Sequence, residues 1–282
     1  MKTLENLIAE TLARPVPPEI AAMAEHVRKL HPGVEAVLAY GSCLRGVATT
    51  ESLIDLYVLT DDLTGVSANP LSRIGCVFVP PNVCYTELEF AGQRYRAKYA
   101  VLPRALFARW MTATNPYFWA RFSQPSALVY ATGRQAIISA IATALRTMYG
   151  NALGLTKNGD IPSIWTSGFS ATYATELRSE GASRAASIVA ANSAYYLQAT
   201  ALMTEVTPIT ANWPYRRFTG KLWSVARLLK AAFTFTGGAD YIAWKIERHS
   251  GEKIELTGWQ RRHPILAGLK LLPMLLKRGA VR

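Results

Sequence analysis

Val37-Leu38-Ala39-Tyr40-Gly41-Ser42-Cys43-Leu44-Arg45-Gly46, followed by Leu53-Ile54-Asp55-Leu56-Tyr57-Val58, is the stretch whose reading decides the fold. An apolar strand over Val34 to Tyr40 is broken by Gly41-Ser42, and a second strand over Ser52 to Leu59 carries one acid among branched and aromatic residues. A strand that ends in Gly-Ser, with an acid on the next strand, is a recurring phosphate device. Gly41 lets the backbone come close to phosphate oxygens because no Cβ stands in the way. Ser42 can offer its hydroxyl and amide where a following helix start favours anions. Asp55 would then hold Mg²⁺ against a polyphosphate, since hard cations take carboxylate oxygens and complete their shell with phosphate; an ordinary turn and a ladder-edge Asp are the plain alternatives.

Outward from this stretch the chain divides into two textures. On the N-terminal side, Pro18 to Leu30 reads as a helix with Ile20, Met23, Ala24 and Val27 on one face, ended by Pro32-Gly33. On the C-terminal side, Gly75 to Val79, Cys84 to Phe90 and Tyr95 to Val101 read as strands, with turns at Pro80-Pro81-Asn82 and Ala91-Gly92-Gln93. After about Pro103 helices take over: Ala105 to Met111, Arg134 to Tyr149, Ser163 to Leu177, Ser183 to Met203 and Lys221 to Phe235, with loops expected at Gly150 to Asp160 and Thr204 to Pro214. This order predicts an α+β fold, a small mixed sheet with flanking helices over residues 1–130, followed by a helical C-terminal domain over 131–282.

The 282 residues suffice for a real core, and half are hydrophobic, which excludes wholesale disorder. Thirty-one basic residues against 19 acidic ones, a net charge of +12, suit a polyanionic partner without choosing among nucleic acid, nucleotide and anionic lipid. Cys43, Cys76 and Cys84 form no C-x-x-C pair, and the four histidines have no H-x-x-x-H spacing, so a disulfide framework or structural zinc is not expected and a reducing cytosol is. The first residues carry acids and lack an apolar signal core. No run reaches the roughly 20 apolar residues of a membrane span.

The motif order resembles the mitochondrial-type phosphatidate cytidylyltransferases, the translocator assembly and maintenance family, which also occur in bacteria. Many nucleotidyltransferases carry Asp-x-Asp, whereas Tyr57 stands in the second position here; that family also follows its Gly-Ser with Ile-Asp and a hydrophobic residue, as Ser52-Leu53-Ile54-Asp55-Leu56 does. Gly75-Cys76-Val77-Phe78-Val79-Pro80, Arg96-Ala97-Lys98-Tyr99-Ala100-Val101 and Ser167 to Arg178 resemble further family blocks in the same order, so the likeness covers roughly residues 37 to 190.

The resemblance implies a Mg²⁺-dependent enzyme that makes CDP-diacylglycerol and pyrophosphate from CTP and phosphatidic acid. Gly41 and Ser42 would contact the triphosphate, Asp55 would carry the metal, and Lys98 would be a catalytic cation for phosphate; an ordinary strand lysine is the plain alternative. Tyr173, Glu176 and Arg178 would contact nucleotide or substrate, although Thr175-Glu176 replaces the family's Gly-Asp and a surface ion pair explains the group as well. A second metal-bearing acid must come from elsewhere. Glu87 and Glu89 share a strand face and are candidates, and a solvated edge accounts for them equally.

Beyond Glu255 the chain carries no acid, and His263 to Arg282 alternates leucines with Lys270, Lys277, Arg278 and Arg282. This reads as an interfacial anchor on an anionic membrane surface, placing the protein in the cytoplasm, peripheral on the inner face of the cell membrane. A terminal helix docked on its own domain or on a partner subunit is the alternative. No RNA-binding motif is present, and nucleic acid is not expected as a partner. The rival functions are a nucleotidyltransferase acting on RNA, protein or a small molecule, and a non-catalytic membrane-bound scaffold.

Overall fold

Two apolar segments, the first ending before Gly41, form the centre of the sheet. β1 (Val34–Tyr40) and β2 (Leu53–Thr60) run antiparallel, with Tyr40 opposite Asp55. A computed structural model describes residues 2–44, 53–156, 159–177, 182–250 and 256–262. Ahead of β1 lie α1 (Leu4–Leu12), capped by the Thr3 hydroxyl, and α2 (Pro18–Lys29). After β2 come α3 (Pro70–Phe78), β3 (Asn82–Phe90), β4 (Gln93–Pro103), α4 (Arg104–Arg109), α5 (Trp119–Phe122) and β5 (Ser126–Ala131). The rest is helical: α6 (Arg134–Leu155), α7 (Ile161–Tyr173), α8 (Ala182–Ala191), α9 (Ser193–Ala201), α10 (Trp213–Thr234), α11 (Gly238–Ser250) and α12 (Gly258–Arg262).

The five strands form one sheet in the order β3-β4-β2-β1-β5, and it is mixed because β2 and β4 are parallel while the other pairs are antiparallel. The α+β expectation holds: strands end at Ala131 and helices follow. α2 covers one sheet face with Ile20, Met23, Ala24 and Val27, the four residues its periodicity singled out, all buried. Against the other face pack the aromatics around α5, where Phe122 meets Tyr57 at 4.8 Å and Phe107 at 4.6 Å, both edge to face. A connected cluster of buried apolar side chains runs from Leu4 on α1 to Trp213 on α10. The cysteines are free and buried.

Several expected elements differ. Gly75 to Val79 is not a strand but the end of α3, because the Asn69 side chain accepts from the Leu71 amide and Pro70 opens the first turn. Ser183 to Met203 is two helices, broken at Asn192, whose backbone leaves the helical region (φ −127°) while its side chain donates to the Ile188 carbonyl. Gly150 to Leu155 belongs to α6 rather than to a loop. Its glycines serve close approach: a Cβ on Gly154 would sit 2.1 Å from the Ile209 oxygen, and Ile209 donates to the Gly150 carbonyl at 2.8 Å. α10 starts at Trp213, earlier than Lys221, because Asn212 caps it and Pro214 occupies its first turn. α1, β5 and α11 were not anticipated. The basic tail, His263 to Arg282, lies outside the described residues.

α10 is tied to the sheet margin by two side chains, and the first is Arg227, whose Nε donates to the Pro80 carbonyl at 3.4 Å. Lys230 Nζ donates to the carbonyls of Val79 and Pro81 and to Asn82 Oδ1, which joins the helix to the start of β3. Among the described residues no helix is long and apolar enough to cross a membrane.

Phe122 is fully buried beneath the sheet row that carries Asp55. Phe122→Ala is expected to cost about 3–5 kcal/mol, read by urea denaturation; a midpoint within error of wild type would show that this aromatic layer is not what holds α5 to the sheet.

Candidate active site

One rung of the sheet carries the site. Tyr40 on β1 is opposite Asp55 on β2, Asp55 is opposite Lys98 on β4, and Lys98 is opposite Tyr85 on β3, so the four side chains share a face. β1 ends at Tyr40, and the chain turns through Gly41 at φ +84° into a short 3-10 helix, Gly41–Leu44. That backbone conformation favours glycine, and a Cβ there would lie 3.5 Å from Asp55 Oδ2. The carboxylate therefore stands against the turn. Sequence and local geometry agree here: the strand pairing sets Asp55 beside the glycine that follows its partner strand.

This rung floors a cavity of about 240 Å³, roofed by α5, α7 and the chain after it. Gly41, Asp55, Lys98, Tyr173 and Glu176 all line it, together with Arg121 and Arg184. Five of the sequence candidates are thus brought together. Ser42 follows in the 3-10 turn. Arg178 lies outside the described residues.

Glu87 and Glu89 are placed elsewhere. They share a strand face with each other, as expected, and the register makes it the face of Asp55, but they lie on edge strand β3, two inter-strand spacings of about 4.8 Å each from β2. Glu87 accepts from Tyr85 at 2.7 Å and pairs with Arg96 at 3.3 Å and Arg94 at 3.6 Å, while Glu89 pairs with Arg94 and is well exposed. Neither lines the cavity. Its acids are Asp55 and Glu176. Among the described residues no group of three or more His, Cys, Asp and Glu side chains could hold a metal. One or two carboxylates suffice for Mg²⁺ when water and substrate phosphate complete its shell; Asp55 and Glu176 are the two carboxylates that line this cavity.

Sequence reasoning missed the cavity's cationic wall. Arg121 Nη1 lies 3.3 Å from the Tyr40 hydroxyl and 3.4 Å from those of Tyr57 and Tyr117. The Tyr117 ring has the Arg121 guanidinium 4.6 Å from its centroid and that of Arg227, from α10, 3.7 Å from it. Burial pushes the Tyr40 and Tyr57 hydroxyls up. Burial also opposes ionisation of Tyr117, but the Arg121 and Arg227 charges outweigh it and the net shift is downward. Arg227 is itself pushed down by burial, and its Nη2 finds no hydrogen-bond partner among the described residues. A lone charge inside Tyr117-Phe118-Trp119-Ala120-Arg121-Phe122 was the one signal for Arg121.

Val83, Lys98, Tyr117 and Glu176 also line a second cavity of about 620 Å³. Its remaining wall is largely apolar, from Leu228, Ala231, Phe235, Tyr241 and Ile242, with Arg227 set among them. The Lys98 ammonium lies 5.9 Å from the Tyr241 ring centre, between the two spaces.

The downward shift of Tyr117 has a direct readout. Tyrosinate absorbance followed through an alkaline titration should show one tyrosine ionising below the ordinary range, a step absent in Tyr117→Phe and moved to higher pH in Arg227→Met. Retention of that step in Tyr117→Phe would assign it to another tyrosine.

No protein-family model and no curated protein matches the chain. Among solved structures the chain is similar to a nucleotidyltransferase-like protein from Exiguobacterium sibiricum 255-15, with 11% identity and a TM-score of 0.27 over 93% of this chain and 91% of that one. A likeness at that level assigns neither a site nor an activity.

Proposed function

We propose that the protein is a Mg²⁺-dependent nucleotidyltransferase that joins the cytidylyl group of CTP to phosphatidic acid, giving CDP-diacylglycerol and pyrophosphate. The observation that carries this reading is the pair of adjoining spaces: a small charged one beside Gly41 and Asp55, and a larger apolar one, with Lys98, Tyr117 and Glu176 between them. A triphosphate suits the first. An acceptor with a phosphate head and acyl chains suits the second, its head lying at the shared wall.

The reaction is an in-line displacement. An oxygen of the lipid phosphate bonds to the α-phosphorus of CTP as the bond from that phosphorus to the bridging oxygen breaks, and pyrophosphate leaves with the electron pair. The nucleophile is already an anion near neutral pH, so positioning and charge neutralisation are what the protein must supply. Lys98, Arg121 and Arg184 supply positive charge along the cavity. Gly41 allows phosphate to approach the backbone without a side chain intervening. Asp55 and Glu176 would hold the Mg²⁺, which when bound offsets the charge of the triphosphate and of the departing pyrophosphate.

Purified full-length chain, incubated with radiolabelled CTP, phosphatidic acid vesicles and Mg²⁺, should yield lipid-soluble label and pyrophosphate. Asp55→Asn, folded as judged by circular dichroism, should lose roughly a hundredfold or more in turnover, since it removes a carboxylate from the metal. Label found only in RNA or protein would replace the lipid acceptor. Near wild-type turnover in Asp55→Asn would overturn the metal assignment, and no incorporation by folded wild-type protein would leave the scaffold.

A further inference from the structure

α10 is turned inside out relative to an ordinary surface helix. Its inward stripe is Arg216, Gly220, Trp223, Arg227 and Lys230. Arg216 donates to Asn151, a Cβ on Gly220 would sit 2.5 Å from the Thr175 oxygen, Trp223 meets Trp110 edge to face at 5.5 Å, and Lys230 holds the start of β3. The outward stripe at the same helical period is Phe218, Leu222, Val225, Leu229 and Phe233, all exposed, Phe233 by 80% and Leu229 by 62%. Surface helices ordinarily place these types the other way round. α3, which touches α10 where Gly75 meets Lys230, repeats the pattern: Ser72 and Cys76 are buried, while Leu71 and Phe78 are exposed by 76% and 68%. Apolar exposure on that scale marks a surface that meets something apolar.

Two observations identify what that is. First, neither helix contains an acid, and Arg217 and Lys221 are exposed beside the outward stripe of α10, so the rim is positive. A second copy of the chain meeting this face about a twofold axis would set the same positive rim against itself, whereas an anionic surface is complementary to it. Second, the apolar cavity reaches the same side: Leu228 and Ile242 line it and are themselves 66% and 51% exposed. An apolar cavity bordered by exposed apolar side chains is arranged for a ligand that arrives from an apolar phase.

We infer that the outer faces of α3 and α10 dock on an anionic phospholipid bilayer, and that the apolar cavity opens toward the lipid. The docking face stands on its own observations, and only the passage of an acyl-chain acceptor through the mouth rests on the transfer reaction proposed above. This face is built from residues of α3 and α10, and it assigns orientation: α10 lies toward the headgroups with Arg227 of its inner stripe on the cavity wall.

The test uses the full chain in vesicle flotation. Phosphatidylcholine vesicles carrying phosphatidylglycerol should float the wild-type protein, and phosphatidylcholine alone should float far less. A Leu229→Glu/Phe233→Glu variant and a separate Phe78→Glu variant change residues that line neither cavity, and each should bind the anionic vesicles roughly tenfold or more weakly, with unchanged melting temperature and a monomeric mass by light scattering. Equal flotation of wild type and variants overturns the inference. So does a wild-type protein that ignores vesicles, or one that self-associates through this face and becomes monomeric in the variants. Turnover on a short-chain, water-soluble phosphatidate separates the two claims. Variants that keep that turnover but no longer float support the docking face, whereas wild-type protein that floats yet transfers nothing to either acceptor keeps the docking face and sinks the transfer reaction.

Discussion

A guanidinium held inside an aromatic layer is the constraint around which the site is built. Removing a charge from water costs several kcal/mol unless partners replace the lost hydration. Arg121 has three tyrosine hydroxyls within hydrogen-bond distance, contributed by β1, β2 and the segment leading into α5. The partners of that charge are therefore supplied only when β1 and β2 pair in register and α5 covers them. The same closure forms the floor of the polar cavity, because Tyr40 and Asp55 sit opposite each other on the paired strands. Folding and site assembly are one event at this position.

The second organising feature is the boundary between the two cavities. Lys98, Tyr117 and Glu176 face both, so a cation, an ionisable hydroxyl and a carboxylate separate a charged space from an apolar one. Arg227 reaches this boundary from α10, far along the chain, and with Arg121 brackets the Tyr117 ring. The positive charge at the wall is thus drawn from both the sheet part and the helical part, which is why neither part taken singly reads as a complete site.

What was legible in the sequence follows from range. Gly41 and Asp55 were readable because the end of one strand and the strand that follows are near in sequence, and antiparallel pairing of the two sets Tyr40 opposite Asp55. Lys98 was named through resemblance, and parallel pairing of β2 with β4 brings it beside Asp55. Glu87 and Glu89 show the limit of periodicity: it put the two on one face of a strand but could not tell that β3 is the edge strand farthest from β1 and the turn. Arg121, Arg184 and Arg227 come from helices whose placement depends on tertiary packing, and apart from the lone charge of Arg121 in its aromatic run nothing near them in the chain announces a shared cavity. The mistaken strand at Gly75 to Val79 has a different cause. Five apolar residues fit either period, and the deciding signal was the Asn69-Pro70 cap several residues upstream.

The Lys230 contact has a mechanical consequence. One ammonium grips two carbonyls and an amide oxygen at the start of β3, each bond contributing on the order of 1 kcal/mol. Arg227, one turn earlier, adds a bond from its Nε to the Pro80 carbonyl at 3.4 Å, so the C-terminal half of α10 is fastened to the segment that enters β3. That segment leads into the strand whose Tyr85 stands opposite Lys98, so the fastening joins α10 to the edge of the rung that bears the site.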